Sequence, residues 1–303
     1  MDNSSSMEWR EKLVQRLRAG GVLHDGRIAD ALLHTPRELF VPRFAAAHGL
    51  EAVYEDEAIV SKWDEGGRAI SSSSQPAMMV MMIEAVGVRS GERILEIGAG
   101  TGYNAAILAH VVGTAGTVIS VELDEDLALG AAEALASMGS LARVVVGDGY
   151  PGWPDDAPYD AVIATACVTV PPRSWHDQTT PSARVIAPMS FSGPGFGPQL
   201  VVAFDRDASG FVSRAVIPAG FVLMRHSTEE QPCGEWISAP GSSGAGQAPD
   251  QGGGAEASAP PPRPHAWRPA GMRIVVRYDG SVAPGASSFR RVGEATVSVI
   301  PGR

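Results

Sequence analysis

The sequence predicts an α/β fold built on a mostly parallel sheet of seven strands with helices on both faces. From Gly91 onward, short apolar strands alternate with helical stretches, the pattern of strands joined by helical crossovers. The first of these strands runs directly into a glycine-rich turn, ILEIGAGTGYNAA (residues 94–106), which opens a helix. The chain has 303 residues, 44% apolar and 19% charged, enough for one large domain or two smaller ones around a sizeable core.

The elements follow in order. Residues 7–35 read as helices, because Leu13 and Leu17, then Ile28 and Leu32, recur at helical spacing. PRELFVPRF (36–44) is a short apolar connector. Ser74 as N-cap and Pro76 at the first turn start a helix over AMMVMMIEAV, with Met78, Met79, Met81 and Met82 expected in the core. Strand 93–97, helix 103–112, strand 117–123 and helix 125–138 come next, followed by strands 143–146, 160–166, 184–188 and 200–204. Residues 211–224 supply a seventh strand, broken near Pro218–Gly220. Gly and Pro number 35 and 23, and much of this excess falls in 238–264, which carries no aliphatic side chain larger than alanine. Such a segment buries too little to offset its ordering entropy and reads as a linker. Beyond it, 272–277 and 294–300 read as strands that dock on the main body or a partner, since two strands alone are marginally stable. The expected organisation is a helical, cleft-forming segment 1–60, a core 61–230, a linker 231–265 and a β extension 266–303.

Charge and cysteine content exclude several functions. The net charge of −10 argues against general nucleic-acid binding. Lys12 and Lys62 are the two lysines among 24 basic residues. Cys167 and Cys233 are too few for a disulfide framework or a four-thiolate zinc site. His176 and His226 have no metal-ligand spacing, so no metal is expected, and Cys167 reads as a small core residue. There is no long apolar run for a membrane span, and the first residues lack a signal-peptide layout, so a cytoplasmic protein is expected.

The glycine turn is E-x-G-x-G-x-G, with Glu96 two residues before Gly98 and further glycines at 100 and 102. A dinucleotide site would want glycine at position 103, which is tyrosine. A carboxylate at 96 suits the ammonium of S-adenosylmethionine better than a pyrophosphate. Glu122 ends the next strand, where it can accept ribose hydroxyls or simply serve as an acid at a helix start. Asp148, in VVVGDGY, can accept from an adenine amine or shape a turn.

LEIGAGTGYNAAILA and VVVGDGYPGWPDDAPYDAVIATA, together with PRELFVP (36–42), YED (54–56) and SQP (74–76), resemble the protein-L-isoaspartate O-methyltransferase family over residues 30–225. The resemblance implies a Rossmann-like class I methyltransferase fold. It implies S-adenosylmethionine as cofactor, leaving as S-adenosylhomocysteine, held at Glu96, Gly98, Ala99, Gly100, Thr101, Gly102, Asn104, Glu122, Leu123, Gly147, Asp148 and Gly149. It also places Ser74 at the active site and residues 54–60, from Tyr54 to Val60, along a substrate cleft.

Two features depart from the family pattern. SKWDEGGRAISSSSQP is long, with Ser72 and Ser73 where threonine and isoleucine are usual, and the C-terminal extension lies outside the repair enzymes' compact plan. Both resemble the branch that matures ribosomally synthesised peptides such as lanthipeptides and graspetides. On that reading the enzyme, a monomer, methylates an aspartate of a modified, macrocyclic precursor peptide, and the ester closes to a succinimide. Ser72, Ser73 and Ser74 would fix the acceptor carboxylate, with Tyr54, Val60, Arg68 and Ser71 binding the peptide. Repair of isoaspartyl residues in damaged proteins shares the same chemistry and is the alternative. A nicotinamide dehydrogenase and a cofactor-binding module without catalysis are the readings from other classes.

Overall fold

The computed structural model describes residues 3–191, 199–225, 236–238 and 272–301. Apart from 236–238, the expected linker 231–265 lies outside the described residues, as do His226 and Cys233.

The N-terminal layer consists of α1 (Asn3–Ala19), α2 (Gly26–His34) and α3 (Pro42–Val53). The expected connector 36–44 is in fact a 3-10 turn, Arg37–Leu39, followed by the start of α3. A hairpin follows, β1 (Ile59–Trp63) and β2 (Ala69–Ser73), then α4 (Pro76–Val86). The sequence pattern marks no strand in this stretch. Its turn closes because Asp64 accepts the Arg68 N–H at 2.8 Å while Gly67 sits at φ 75°.

All seven expected core strands form: β3 (Arg93–Ile97), β4 (Thr117–Glu122), β5 (Arg143–Val146), β6 (Tyr159–Ala164), β7 (Thr179–Ser190), β8 (Gln199–Asp207) and β9 (Gly210–Ala219). They lie in the order β5-β4-β3-β6-β7-β8-β9, the first five parallel and β8 and β9 antiparallel. The strands are buried on both faces, and their side chains alternate between the two cores with the two-residue period of a strand. Ile94, Val118, Ala161, Ile163 and Ile186 face the helical side, where α4, α5 (Tyr103–Val112) and α6 (Glu125–Ser137) pack. Leu95, Ile97, Ile119, Val162 and Val185 face the other side, covered by Trp175 of the short α7 (Arg173–Asp177). The chain order reverses at β3, and a crevice opens beyond the carboxyl ends of β3 and β6, the usual ligand position in such sheets.

The seventh strand stops at Ala219 instead of running to Met224. Residues 221–225 turn back toward the end of β6, where the Cys167 N–H donates to Val222 O at 2.8 Å and the Met224 N–H to Cys167 O at 2.9 Å. Cys167 is buried there, and burial pushes its thiol up to about 12, so it is a core residue. His176 is also structural, buried with Nε2 2.9 Å from Asp207 O.

The C-terminal strands extend the main sheet. Strands β10 (Trp236–Ser238), β11 (Met272–Arg277), β12 (Ser288–Val292) and β13 (Ala295–Pro301) follow β9 in the order β9-β11-β13-β12-β10, all antiparallel. At the junction Arg277 pairs with Gly210, and a Cβ at 210 would stand 2.0 Å from Val276 O. Only glycine lets the two backbones meet. Ile274, Val276, Val292 and Val297 join Phe204 and Phe211 in one core.

Candidate active site

The crevice is a cavity of about 550 Å³ between the glycine turn, β2, the start of α4 and residues 220–225. Gly98 (φ 94°) and Gly100 (φ 54°) hold left-handed backbone that favours glycine. A Cβ at 98 would lie 2.5 Å from Thr165 Oγ1, whose hydroxyl donates to Gly98 O at 2.7 Å. At 100 it would lie 3.4 Å from Ser72 O and 3.5 Å from Ser71 Oγ, so the hairpin rests directly on the turn.

Glu122 lines the cavity. Its carboxylate accepts the Gly100 N–H at 2.8 Å and the Asp124 N–H at 3.1 Å, tying the turn to the end of β4. Leu123, Gly98, Gly100 and Gly149 also line the space. Glu96 does not. Two residues along the strand from Ile94, its side chain points into the helical layer, where it is wholly buried. Asn104 Nδ2 donates to it at 2.6 Å, Ser120 Oγ donates to its other oxygen, and burial pushes its carboxyl up to about 7. Glu96 therefore braces the turn from beneath instead of meeting a ligand ammonium. Ala99 and Gly102 are buried within the turn, and Asn104 serves the same brace. Thr101 is half-buried and outside the cavity lining. Gly147 and Asp148 are outside the cavity lining, and Asp148 Oδ1 accepts the Tyr150 N–H at 2.8 Å, a turn-forming bond.

On the opposite wall, Ser71, Ser72 and Ser74 line the cavity. Ser73 does not; it is buried with Oγ 3.5 Å from Arg37 Nη2. Tyr54 is a core residue and not a cleft residue: its hydroxyl donates to Glu38 and accepts the Arg37 N–H at 3.1 Å. Val60 is on the exposed side of β1, and Arg68 at the hairpin tip is paired with Asp64 at 2.8 Å, both away from the cavity. Met78 lines the cavity, while Met79, Met81 and Met82 are in the core.

Four features escaped sequence reasoning. Arg37 is fully buried and donates to the carbonyls of Val53, Glu55, Glu57, Ser73 and Ser74, pinning residues 53–57 to the end of β2. Asp56 caps α4 from a distance, accepting the Ala77 N–H at 2.7 Å and Gln75 Nε2 at 3.1 Å; Gln75, not Ser74, is the N-cap residue. Thr165 supports the turn. Arg225 closes the far wall by pairing with Asp124 at 2.5 Å, and Lys62 on β1 reaches Asp126 at 2.6 Å and Asp124 at 3.4 Å. The YED and PRELFVP motifs contain Asp56 and Arg37, but no short-range pattern marks what they bind. Among the described residues, no helix is long and apolar enough to cross a membrane.

Residues 7–227 match the family model described as Protein-L-isoaspartate(D-aspartate) O-methyltransferase. A protein-L-isoaspartate O-methyltransferase of Thermotoga maritima is 41% identical over 182 residues, covering 60% of this chain and 55% of the relative's own length. One from Ignicoccus hospitalis is 33% identical over 216 residues, covering 71% of this chain and 96% of the relative. A solved protein-L-isoaspartate O-methyltransferase aligns over 97% of this chain and 88% of its own, with TM-score 0.66 and 26% identity. That coverage reaches into the C-terminal extension, so, against expectation, the extension has a counterpart in that one solved structure. A Plasmodium falciparum structure assigned to the same family, in complex with S-adenosyl-L-homocysteine, covers 71% of this chain and 98% of its own at TM-score 0.60 and 16% identity, which shows the fold alone. The glycine turn, the acid ending β4 and the match over residues 7–227 converge on one conclusion: this chain belongs to the protein-L-isoaspartate(D-aspartate) O-methyltransferase family, the S-adenosylmethionine-dependent carboxyl methyltransferases.

Proposed function

We propose that the enzyme methylates the carboxylate of L-isoaspartyl residues in peptides and proteins, the repair reaction. The observation that carries this reading is one cavity whose donor end, at Gly98, Gly100 and Glu122, faces an acceptor end at Ser72, Ser74 and Met78. The donor end fits the cofactor: the turn leaves a cradle that a Cβ would fill, Glu122 offers a carboxylate, and Ile97, Val121 and Phe221 supply apolar walls. Bound S-adenosylmethionine supplies an electrophilic methyl carbon on a sulfonium.

The acceptor carboxylate is already ionised at neutral pH, so no general base is needed. What the chain does is position and dry the site. Ser72 and Ser74 hydroxyls hold the carboxylate at the cavity wall, and β2 and residues 220–225 exclude water. The Ala77 N–H at the start of α4 is already taken by Asp56 and is not free to bind the acceptor. After methylation, the following backbone nitrogen of the substrate displaces methanol to close a succinimide. Water then opens the ring to aspartate or isoaspartate.

The second reading, methylation of an ordinary aspartate in a macrocyclic precursor, now rests on the serine run alone. The two separate in one experiment. The enzyme and cofactor are incubated with an isoaspartyl peptide, its linear aspartyl counterpart and a cyclised aspartyl form, with methyl gain read by mass spectrometry. Methylation of the isoaspartyl peptide is the expected result. Methylation confined to the cyclised peptide would replace repair by maturation, and methylation of none would leave a binding module.

A further inference from the structure

We propose that Asp30, His34 and His110 form a surface site for a first-row divalent metal ion of the zinc type, clipping α2 to α5. Asp30 and His34 stand one turn apart on α2, and His110 lies in the last turn of α5. His110 Nε2 is 2.7 Å from Asp30 Oδ2, and His34 Nδ1 is 3.3 Å from Asp30 Oδ1. The two imidazole rings stack, with centroids 5.4 Å apart and planes inclined by 17°. One ligand atom from each residue falls within 4.8 Å of the others.

Around tetrahedral zinc, with ligand bonds of about 2.0–2.2 Å, neighbouring ligand atoms stand about 3.3–3.5 Å apart. The widest separation must therefore shrink by little more than about 1 Å, which side-chain rotation supplies. His34 Nδ1, now also 2.9 Å from Asp30 O, exchanges that contact for the metal. Two imidazoles and one carboxylate make a nitrogen-rich set suited to zinc, nickel or copper, and not to magnesium or calcium. The three residues are exposed, so water completes the coordination. Asp30 and His110 are 80 positions apart, which is why no spacing motif announced them. None of the three lines the methyl-transfer cavity. The ion would join the N-terminal helical layer to the helix that begins at the glycine turn, acting on stability and not on the chemistry.

The test uses the full chain, stripped with a chelator and titrated with zinc chloride by calorimetry, alongside Asp30→Asn and a His34→Gln/His110→Gln double variant. The expected result is saturable binding of one zinc ion that the double variant loses. Thermal unfolding of the native chain, and not of the double variant, should rise with zinc concentration. Magnesium should give no such rise. Methyl transfer in the presence of chelator should be equal for all forms, which separates failure here from failure of the repair reading. Zinc affinity unchanged in the double variant, or an equal response to magnesium, would overturn the assignment.

Discussion

Replacing Asp124 by asparagine should loosen cofactor binding while leaving the chemical step nearly intact. Asp124 follows the cavity-lining Glu122 and Leu123 in the chain and ties the hairpin and residues 220–225 to them. Arg225 donates to both its oxygens, at 3.2 and 2.5 Å, and Lys62 stands 3.4 Å away on the hairpin that covers Gly100. Asparagine is as good a residue at a helix start, so α6 should be undisturbed. A hydrogen bond to a charged group contributes about 1.5–3 kcal/mol. Arg225 is 37% and Lys62 29% exposed, so solvent screening reduces the combined loss to about 1–2 kcal/mol. If wall closure and cofactor binding are one event, cofactor Kd rises about 5- to 30-fold. Arg225 holds the Asp124 carboxyl below its ordinary range, so the latch is present above the usual aspartate pKa and lost only as pH falls into the acid range. It therefore contributes no pH dependence near neutrality. It does contribute a salt dependence, because these charges are partly screened. The assay is calorimetric cofactor binding over a salt series for native enzyme and variant. An unchanged Kd with an unchanged salt slope would refute the reasoning.

Three other outcomes are expected. Ser74→Ala should lower kcat by about tenfold through loss of one hydroxyl contact to a charged acceptor, with cofactor Kd unchanged; loss of cofactor binding would reject the placement of Ser74 at the acceptor end. Glu96→Gln should remove a pH dependence of unfolding: with the folded carboxyl pushed up to about 7 from 4.5, its contribution is full below 4.5 and is lost as pH rises through about 7, a difference of about 3 kcal/mol, so native and variant unfolding curves of equal pH slope would count against it. Gly210→Ala should undock the extension at a cost near the upper end of about 1–3 kcal/mol, seen as faster hydrogen exchange across 272–277; unchanged protection there would show that the 2.0 Å approach is relieved in another way.

What was legible in the sequence follows the range of the interactions. The seven core strands and the helices 103–112 and 125–137 carry their own apolar period, and the structure has them nearly where that period puts them. The glycine turn was legible because its conformation is a local property of Gly98 and Gly100. The direction of Glu96 was available too: a two-residue period from Ile94 sends it to the helical side, but the motif reading gave that phase no weight. The hairpin 59–73 was not legible, because β1 and β2 bury only one or two residues each against the body, and what seats them is Arg37 and the glycine turn. Residues 221–225 look like a continuing strand until Cys167 is known to be beside them.

This division separates the two ends of the active site in a way that bears on specificity. The donor end is built from one strand-turn-helix and the acid of the next strand, so local chemistry fixes it. The acceptor end is presented by β2 and the start of α4, each held by a distant polar anchor: Arg37 on the carbonyls of Ser73 and Ser74, Asp56 on the Ala77 N–H. Changing a serine alters what is recognised while the wall stays in place. Changing an anchor leaves buried polar groups unpaired and moves the wall itself. A substrate range is therefore adjusted at Ser72 and Ser74, which line the cavity, more readily than at Ser73, whose side chain is enclosed beside the Arg37 anchor.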